Sequence, residues 1–395
     1  MTFTRRSTTT DSSKRAPRLT KAAGAARFIC GLIVATGGWT LLVTQRPHVA
    51  VAADDVPIRV EQLEKMTFHR VSGGASNGAC LDAGPDGSWH STSVGLPTVH
   101  FDGKTYRMWF NGDEPTKDPR APYGIYQRIG LATSTDGVRW KIANGDKPVL
   151  DLGPPGSPDE KGLSHPYVLK VGDKFWMWYG GIDGKTAGDL GLAPANVRVE
   201  RMCLASSSDG IHWNRENDGK PVLDIGPPGT IDCIQATGMH ILKIDGEFKM
   251  WYGAYGSKKH VIGMASSSDG IHWQRENAGE PLTGLVGGGQ GQLGPSVHFD
   301  GQRYFMFYNG DLGSQWNTYT AVSDDGVHFA QLSGDKPILE PAPAGNFDTA
   351  GVGRNHAVHL TKIIVTQGKV RAWYTGEDGS PPHHQRIGLL EADIP

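Results

Sequence analysis

Acids, histidines, arginines and aromatics stand at the ends of five similar apolar segments in this chain, and their types suit a hydroxyl-rich ligand. Glu114, Asp183 and Glu377 stand one or two residues after three of the segments. They are the candidates for acid and base work, because cleaving a glycosidic bond takes one carboxyl group to protonate the leaving oxygen and another to activate water or attack. Asp113, Asp311 and Asp378 lie beside them as acceptors for hydroxyl groups, while Arg128 and Arg354 supply donors. Tyr255 and Trp316 offer flat faces for the C–H-rich side of a sugar ring. His165 and His356 would orient a substrate, and an imidazole with a reference pKa of about 6.5 is easily tuned toward acid or base duty. His165, Glu114, Tyr255, Arg354, His356 and Glu377 have no counterpart in the other repeats, and a purely structural role should recur. Asp159, Asp232 and Asp348 do recur, each seven residues before the start of an inner strand, and therefore read as loop-fixing groups.

The elements that must position these residues are repeats. The five segments are Tyr-Arg-Met-Trp-Phe-Asn-Gly (106–112), Phe-Trp-Met-Trp-Tyr-Gly-Gly (175–181), Phe-Lys-Met-Trp-Tyr-Gly (248–253), Tyr-Phe-Met-Phe-Tyr-Asn-Gly (304–310) and Val-Arg-Ala-Trp-Tyr-Thr-Gly (370–376). With Trp109, Trp178, Trp251, Phe307 and Trp373 as markers, the steps are 69, 73, 56 and 66 residues, room for a four-stranded sheet each. An apolar strand ending in a turn such as Asp102-Gly103 precedes each aromatic strand. A third strand follows, leading in four repeats into Ser-x-Asp-Gly, whose Asp136, Asp209, Asp269 and Asp325 read as turn-fixing residues. A short last strand ends near Pro148, Pro221, Pro281 or Pro337. The pattern predicts an all-β chain, a five-bladed β-propeller with four antiparallel strands per blade. After Arg386-Ile-Gly-Leu389 the fifth repeat has no fourth strand. Since an unpaired edge exposes backbone donors and acceptors, residues 58–71 are expected to supply that strand and close the ring.

Composition bounds the remainder. A formal net charge of -2 with 20% charged residues gives no field suited to nucleic acid or an anionic membrane surface. The 54 glycines and 11 tryptophans suit short strands and tight turns, and no segment after residue 55 shows helical periodicity. Residues 1–53 read as a separate leader: seven Lys and Arg between Arg5 and Arg27, an apolar run over residues 28–43, then Ala50-Val51-Ala52 before Ala53. That order is a secretory signal, with an uncleaved N-terminal anchor as the alternative, and the run is shorter than the roughly 20 residues a spanning helix needs. The expected location is outside the cytoplasm, with residues 54–395 as the propeller and membrane contact only through an uncleaved anchor. Cys80, Cys203 and Cys233 are odd in number, allow at most one disulfide (Cys80–Cys233) and fit no zinc spacing.

The aromatic strands, the run over residues 129–140 ending in Thr-Asp-Gly-Val-Arg-Trp, and the Pro-Val-Leu close at 148–150 resemble the five-bladed propeller superfamily of furanosidases. It includes the arabinanase, levansucrase and invertase-like glycoside hydrolases (families 32, 43 and 68) and the mannoside phosphorylases of family 130. The resemblance covers residues 58–395. It implies an active site at the mouth of the central funnel, lined by the first residues of the inner strands. Several of these families place a catalytic Asp before Pro there. The matching pairs here are Leu96-Pro97, His165-Pro166, Gly238-Met239, Gly294-Pro295 and Arg354-Asn355, none of them Asp-Pro, so neither acids nor reaction carry over by motif. The leading expectation is an exported glycoside hydrolase acting on an oligo- or polysaccharide. The alternatives are a non-catalytic carbohydrate-binding propeller and a phosphorylase with phosphate held by Arg354, His356 and Arg128. No cofactor is expected; a propeller axis can hold calcium on oxygen ligands, but no ligand set stands out.

Overall fold

The computed structural model describes residues 58–395, apart from 257, 288, 290, 312–315, 333, 335, 340–341, 350–358 and 380–383. The chain divides into two units, Met1–Arg46 and Pro47–Pro395. The leader, and with it the reading of residues 1–53, lies outside the described residues.

Strands dominate, as the aromatic and glycine content requires. After a short helix α1 (Val60–Leu63), the strands are β1 (His69–Val71), β2 (Ser93–Phe101), β3 (Tyr106–Pro115), β4 (Ile125–Ser134), β5 (Lys141–Ile142), β6 (Gly162–Val171), β7 (Lys174–Ile182), β8 (Arg201–Ser207), β9 (Asn214–Arg215) and β10 (Gln235–Ile244). The remainder are β11 (Glu247–Tyr255), β12 (His260–Ser267), β13 (Gln274–Arg275), β14 (Gln292–Phe299), β15 (Tyr304–Asp311), β16 (Trp316–Ser323), β17 (Ala330–Gln331), β18 (Ile364–Thr366), β19 (Lys369–Glu377) and β20 (Gln385–Asp393). Three sheets are antiparallel and four-stranded: β10 to β13, β14 to β17, and β18-β19-β20-β1. In the fourth sheet two such meanders, β2 to β5 and β6 to β9, are joined by a parallel pairing of Gln127 with Gly162. Bridges at the matching places, Glu200 to Gln235 and His260 to Gly291, link later meanders.

The aromatic strand of each meander is buried on both faces, which is why it reads as a continuous apolar run rather than an alternation. Trp109, Trp178, Trp251 and Trp373 are fully buried. Each indole N–H must find an acceptor there, and each finds the glycine carbonyl of a Ser-x-Asp-Gly turn in another meander. Trp109 donates to Gly210 (2.9 Å), Trp178 to Gly270 (2.9 Å), Trp251 to Gly326 (2.8 Å) and Trp373 to Gly137 (2.8 Å). The last of these ties the C-terminal meander to the first. The marker position of the fourth meander is Phe307, which has no donor, and the fifth meander has no such turn to receive one. Phe68, from the N-terminal segment, packs edge-on against Phe307 instead, with centroids 5.4 Å apart.

The turns behave as their residue types dictate. Asp136 Oδ1 accepts the N–H groups of Val138 and Arg139, both at 2.8 Å, and Ser134 Oγ accepts that of Gly137 at 2.8 Å. Gly137 has φ +75°, and a Cβ there would sit 3.0 Å from Trp373, so both conformation and close approach require glycine.

The N-terminal segment stands where the fifth repeat lacks a strand: β1 pairs antiparallel with β20, His69 opposite Glu391. Arg70 donates to Asp348 at 2.7 Å, as Arg215 does to Asp159 and Arg275 to Asp232 from the fourth strands of their meanders. Each of these buried aspartates also accepts a tyrosine hydroxyl: Tyr179, Tyr252 or Tyr374. The loop-fixing role read from their recurrence is the one they have. His298 donates to the Ile58 carbonyl at 2.7 Å, a further tie to the N-terminal segment. Cys80, Cys203 and Cys233 are buried free thiols, so the Cys80–Cys233 bridge does not form.

Candidate functional site

The first strand of each of the first four meanders carries a bulge at its entrance. In β2, β6, β10 and β14 the register skips between Gly95 and Thr98, Ser164 and Tyr167, Thr237 and His240, and Leu293 and Ser296. The first bulged residue takes a left-handed conformation: Leu96 (φ +51°), His165 (+49°), Gly238 (+60°) and Gly294 (+60°). The fifth meander repeats it at His359 (+50°). Sequence reading placed Arg354 there. Arg354 and His356 lie outside the described residues, and His359 holds the equivalent place. The missed signal is spacing: four of these residues precede their marker aromatic by 13 positions, and His359 precedes Trp373 by 14.

Non-glycine residues persist in this conformation only where their surroundings impose it. Asn111 Oδ1 accepts the His165 N–H at 2.8 Å, Asn309 Oδ1 that of His359 at 3.0 Å, and Thr375 Oγ1 that of Leu96 at 2.8 Å. The positions that would cap Gly238 and Gly294 are Gly180 and Gly253. No side chain fills these places, and a cavity of about 500 Å³ opens beside Gly238, Gly253 and Gly294.

His165, His260 and His359 line this cavity with Arg198, Glu200, Gln235 and Thr237, and with Tyr123, Tyr255 and Trp316. His165 and His359 meet edge to face, with centroids 5.2 Å apart. Burial pushes all three imidazoles down: His165 to about 3, helped by the Arg198 charge, His260 to about 4, and His359 well below the ordinary value. All three are neutral near pH 7.

A polar chain crosses the wall between the first two meanders. Gln127 donates to Asp113 at 3.2 Å and accepts from Arg198 at 2.8 Å. Arg198 pairs with buried Glu200 at 3.1 Å, and Ser164 donates to the same carboxylate oxygen. Desolvation outweighs these partners at Asp113 and pushes its carboxyl up to about 6. Arg198 and Glu200, just ahead of β8, were not among the residues named from sequence. Gln127 and Gln385, which stand cross-strand from Asp113 and Glu377, were missed as well.

Of the residues named from sequence, His165, Tyr255 and Trp316 line the cavity together, and Asp113 joins them through Gln127. Asp311 is buried opposite Trp316, and Glu377 is buried opposite Gln385, whose amide donates to it at 2.9 Å. Glu114, Asp183 and Asp378 share one position and one use. Arg128 bridges Glu114 (2.5 Å) to Asp151, Arg201 bridges Asp183 (3.0 Å) to Asp224, and Arg386 bridges Asp378 (2.9 Å) to Asp82. Glu114 therefore has counterparts, contrary to the sequence reading, and none of these three acids or Arg128 lines the cavity. Among the described residues no cluster of three or more His, Cys, Asp and Glu is arranged to hold a metal ion.

No protein-family model matches the chain. An uncharacterized protein of Mycobacterium tuberculosis is 29% identical over 191 residues, 46% of this chain and 56% of that one. The A type blood N-acetyl-alpha-D-galactosamine deacetylase of Flavonifractor plautii is 25% identical over 292 residues, 64% of this chain and 36% of that one. A beta-1,2-mannobiose phosphorylase of Thermoanaerobacter is 26% identical over 144 residues, 35% and 43%. The chain thus spans about half the length, or less, of the curated relatives it matches. Among solved structures, BT0996 in complex with RGII superposes with a TM-score of 0.65 at 19% identity, covering 84% of this chain and 94% of that one. A structure from the GH130 family of mannoside phosphorylases, which contains hydrolases of beta-1,2 mannosidic linkages in Candida mannan, gives 0.60 at 17% identity, covering 84% and 96%. The resemblance carried by the repeats holds in three dimensions, and the chain has the fold of the β-propeller glycoside hydrolase superfamily.

Proposed function

We propose that this chain is an exported, carbohydrate-active propeller of five blades, its ring closed by the N-terminal strand, and that it cleaves a glycosidic bond in the cavity above Gly238 and Gly294. The ring reading draws on the Trp373–Gly137 tether, the β1–β20 pairing and the Arg70–Asp348 pair. One observation carries the activity: the buried Glu200 carboxylate shares a single wall with an arginine, aromatic faces and three neutral imidazoles, and Asp113 is tied to that arginine through Gln127. Asp113, with its carboxyl raised to about 6, would protonate the leaving oxygen. Glu200, oriented by Arg198 and Ser164, would take a proton from the attacking water. Glu377 and Asp311 stay in the proposal as hydroxyl acceptors deeper in the wall. Glu114, Asp183, Asp378 and Arg128 are read as rim supports.

The test is incubation with a panel of oligosaccharides, neutral and acidic. New reducing ends from the wild type, abolished by Asp113→Asn or Glu200→Gln, support hydrolysis. Turnover that needs inorganic phosphate would make the protein a phosphorylase. Saturable binding without product would make it a binding module. A second reading, removal of an acyl group from a sugar, is favoured by the neutral histidines and the likeness to a deacetylase. It predicts acetate released from N-acetylated glycans with no new reducing end.

A further inference from the structure

We infer that Tyr123 is the binding platform for a second sugar unit, so that the ligand of this cavity is an oligosaccharide rather than a single sugar; this rests on the carbohydrate reading above. Three observations meet at this residue. Tyr123 is 72% exposed, the only aromatic among the large hydrophobics left exposed on the described surface, and it lines the cavity. Its backbone is left-handed (φ +58°) in the Pro-Tyr-Gly turn between β3 and β4, a conformation unfavourable for a bulky side chain and imposed by its surroundings. The Arg198 guanidinium lies over one face of the ring at 5.2 Å, and Arg198 is itself held by Gln127 and Glu200. A cation under one face fixes the ring's orientation.

The loop presenting Tyr123 is built to hold still. Asp118 accepts from Lys161 at 2.6 Å and from the Tyr126 hydroxyl at 2.9 Å. Arg120 reaches the Asp183 carbonyl at 2.8 Å and also pairs with Glu160. The loop of the first meander is thereby clamped to the second, above the cavity wall. A flat aromatic held at a cavity lip, one face occupied by a guanidinium, offers the apolar side of a pyranose a stacking surface. Tyr255 and Trp316 lie within the cavity and serve the unit bound there, while Tyr123 serves the next unit outward.

The experiment is binding of the full-length protein to a glycan array carrying each sugar as mono-, di- and trisaccharide, repeated with Tyr123→Ala and Tyr123→Phe. Binding that strengthens from one unit to two, falls roughly tenfold for the longer ligands in Tyr123→Ala and is retained in Tyr123→Phe supports the inference. Monosaccharide binding should fall less than binding of the longer ligands in Tyr123→Ala. Equal affinity for one and two units, or no effect of Tyr123→Ala on the longer ligands, overturns it and leaves the carbohydrate reading standing. If no glycan binds the wild type, both fall.

Discussion

At the scale of single residues, burial shifts the titration of several groups at the site. His165 is the clearest case: its folded-state pKa, about 3, lies below the unfolded value. The unfolded chain therefore binds more protons between the two values, and stability is lost as pH falls from about 6.5 toward 3. Asparagine tolerates the left-handed backbone. We expect His165→Asn to lose less melting temperature than wild type between pH 7 and pH 5, and thermal melts across that range would test this. Asp113 runs the other way. Its carboxyl is raised to about 6, so the folded state holds the proton longer and stability falls as pH rises from about 3.9 through 6. Asp113→Asn should raise the melting temperature at pH 8 and change it little at pH 4. In activity assays the proposed acid role predicts a wild-type rate that declines as pH rises through about 6.

At the scale of elements, the tethers between meanders bear the cohesion. Trp373→Phe removes the bond to Gly137 and leaves a cavity where the indole was fully buried, which predicts a loss of at least about 1 kcal/mol in urea denaturation. Arg70→Ala should cost more. It takes the Arg70 guanidinium away from the fully buried Asp348 carboxylate, a change worth about 3 kcal/mol by comparison with other broken buried pairs. Hydrogen exchange at residues 69–71 should rise with it, because β1 is short and held to β20 by three residue pairs. An unchanged exchange rate there would show that Arg70 does not hold the strand.

At the scale of the whole molecule, the N-terminal 71 residues have two predicted fates. Removing residues 1–52 should leave the melting temperature unchanged, and in a secreting host the mature N terminus should read Ala53 by end-sequencing. Removing residues 1–71 should instead expose the β20 edge and cause aggregation, visible in light scattering. Repeats, turn types, the aromatic strands and the missing fourth strand were all legible in the sequence, because each depends on local pattern: Gly where φ is positive, Asp where a turn needs an acceptor, continuous apolar residues where a strand is covered on both sides. The site was legible only in outline. Asp113 and Glu114 are adjacent in one strand, yet one joins the cavity network through Gln127 while the other joins a rim ion pair through Arg128. Successive side chains on a strand point to opposite faces, and which face meets a partner depends on residues from another meander, such as Arg198 for Asp113. Composition and spacing by themselves determined the repeated elements. Only tertiary packing decided which of the equivalent positions meet in the cavity, since that turns on side chains absent at Gly238 and Gly294 and present at His165 and His359.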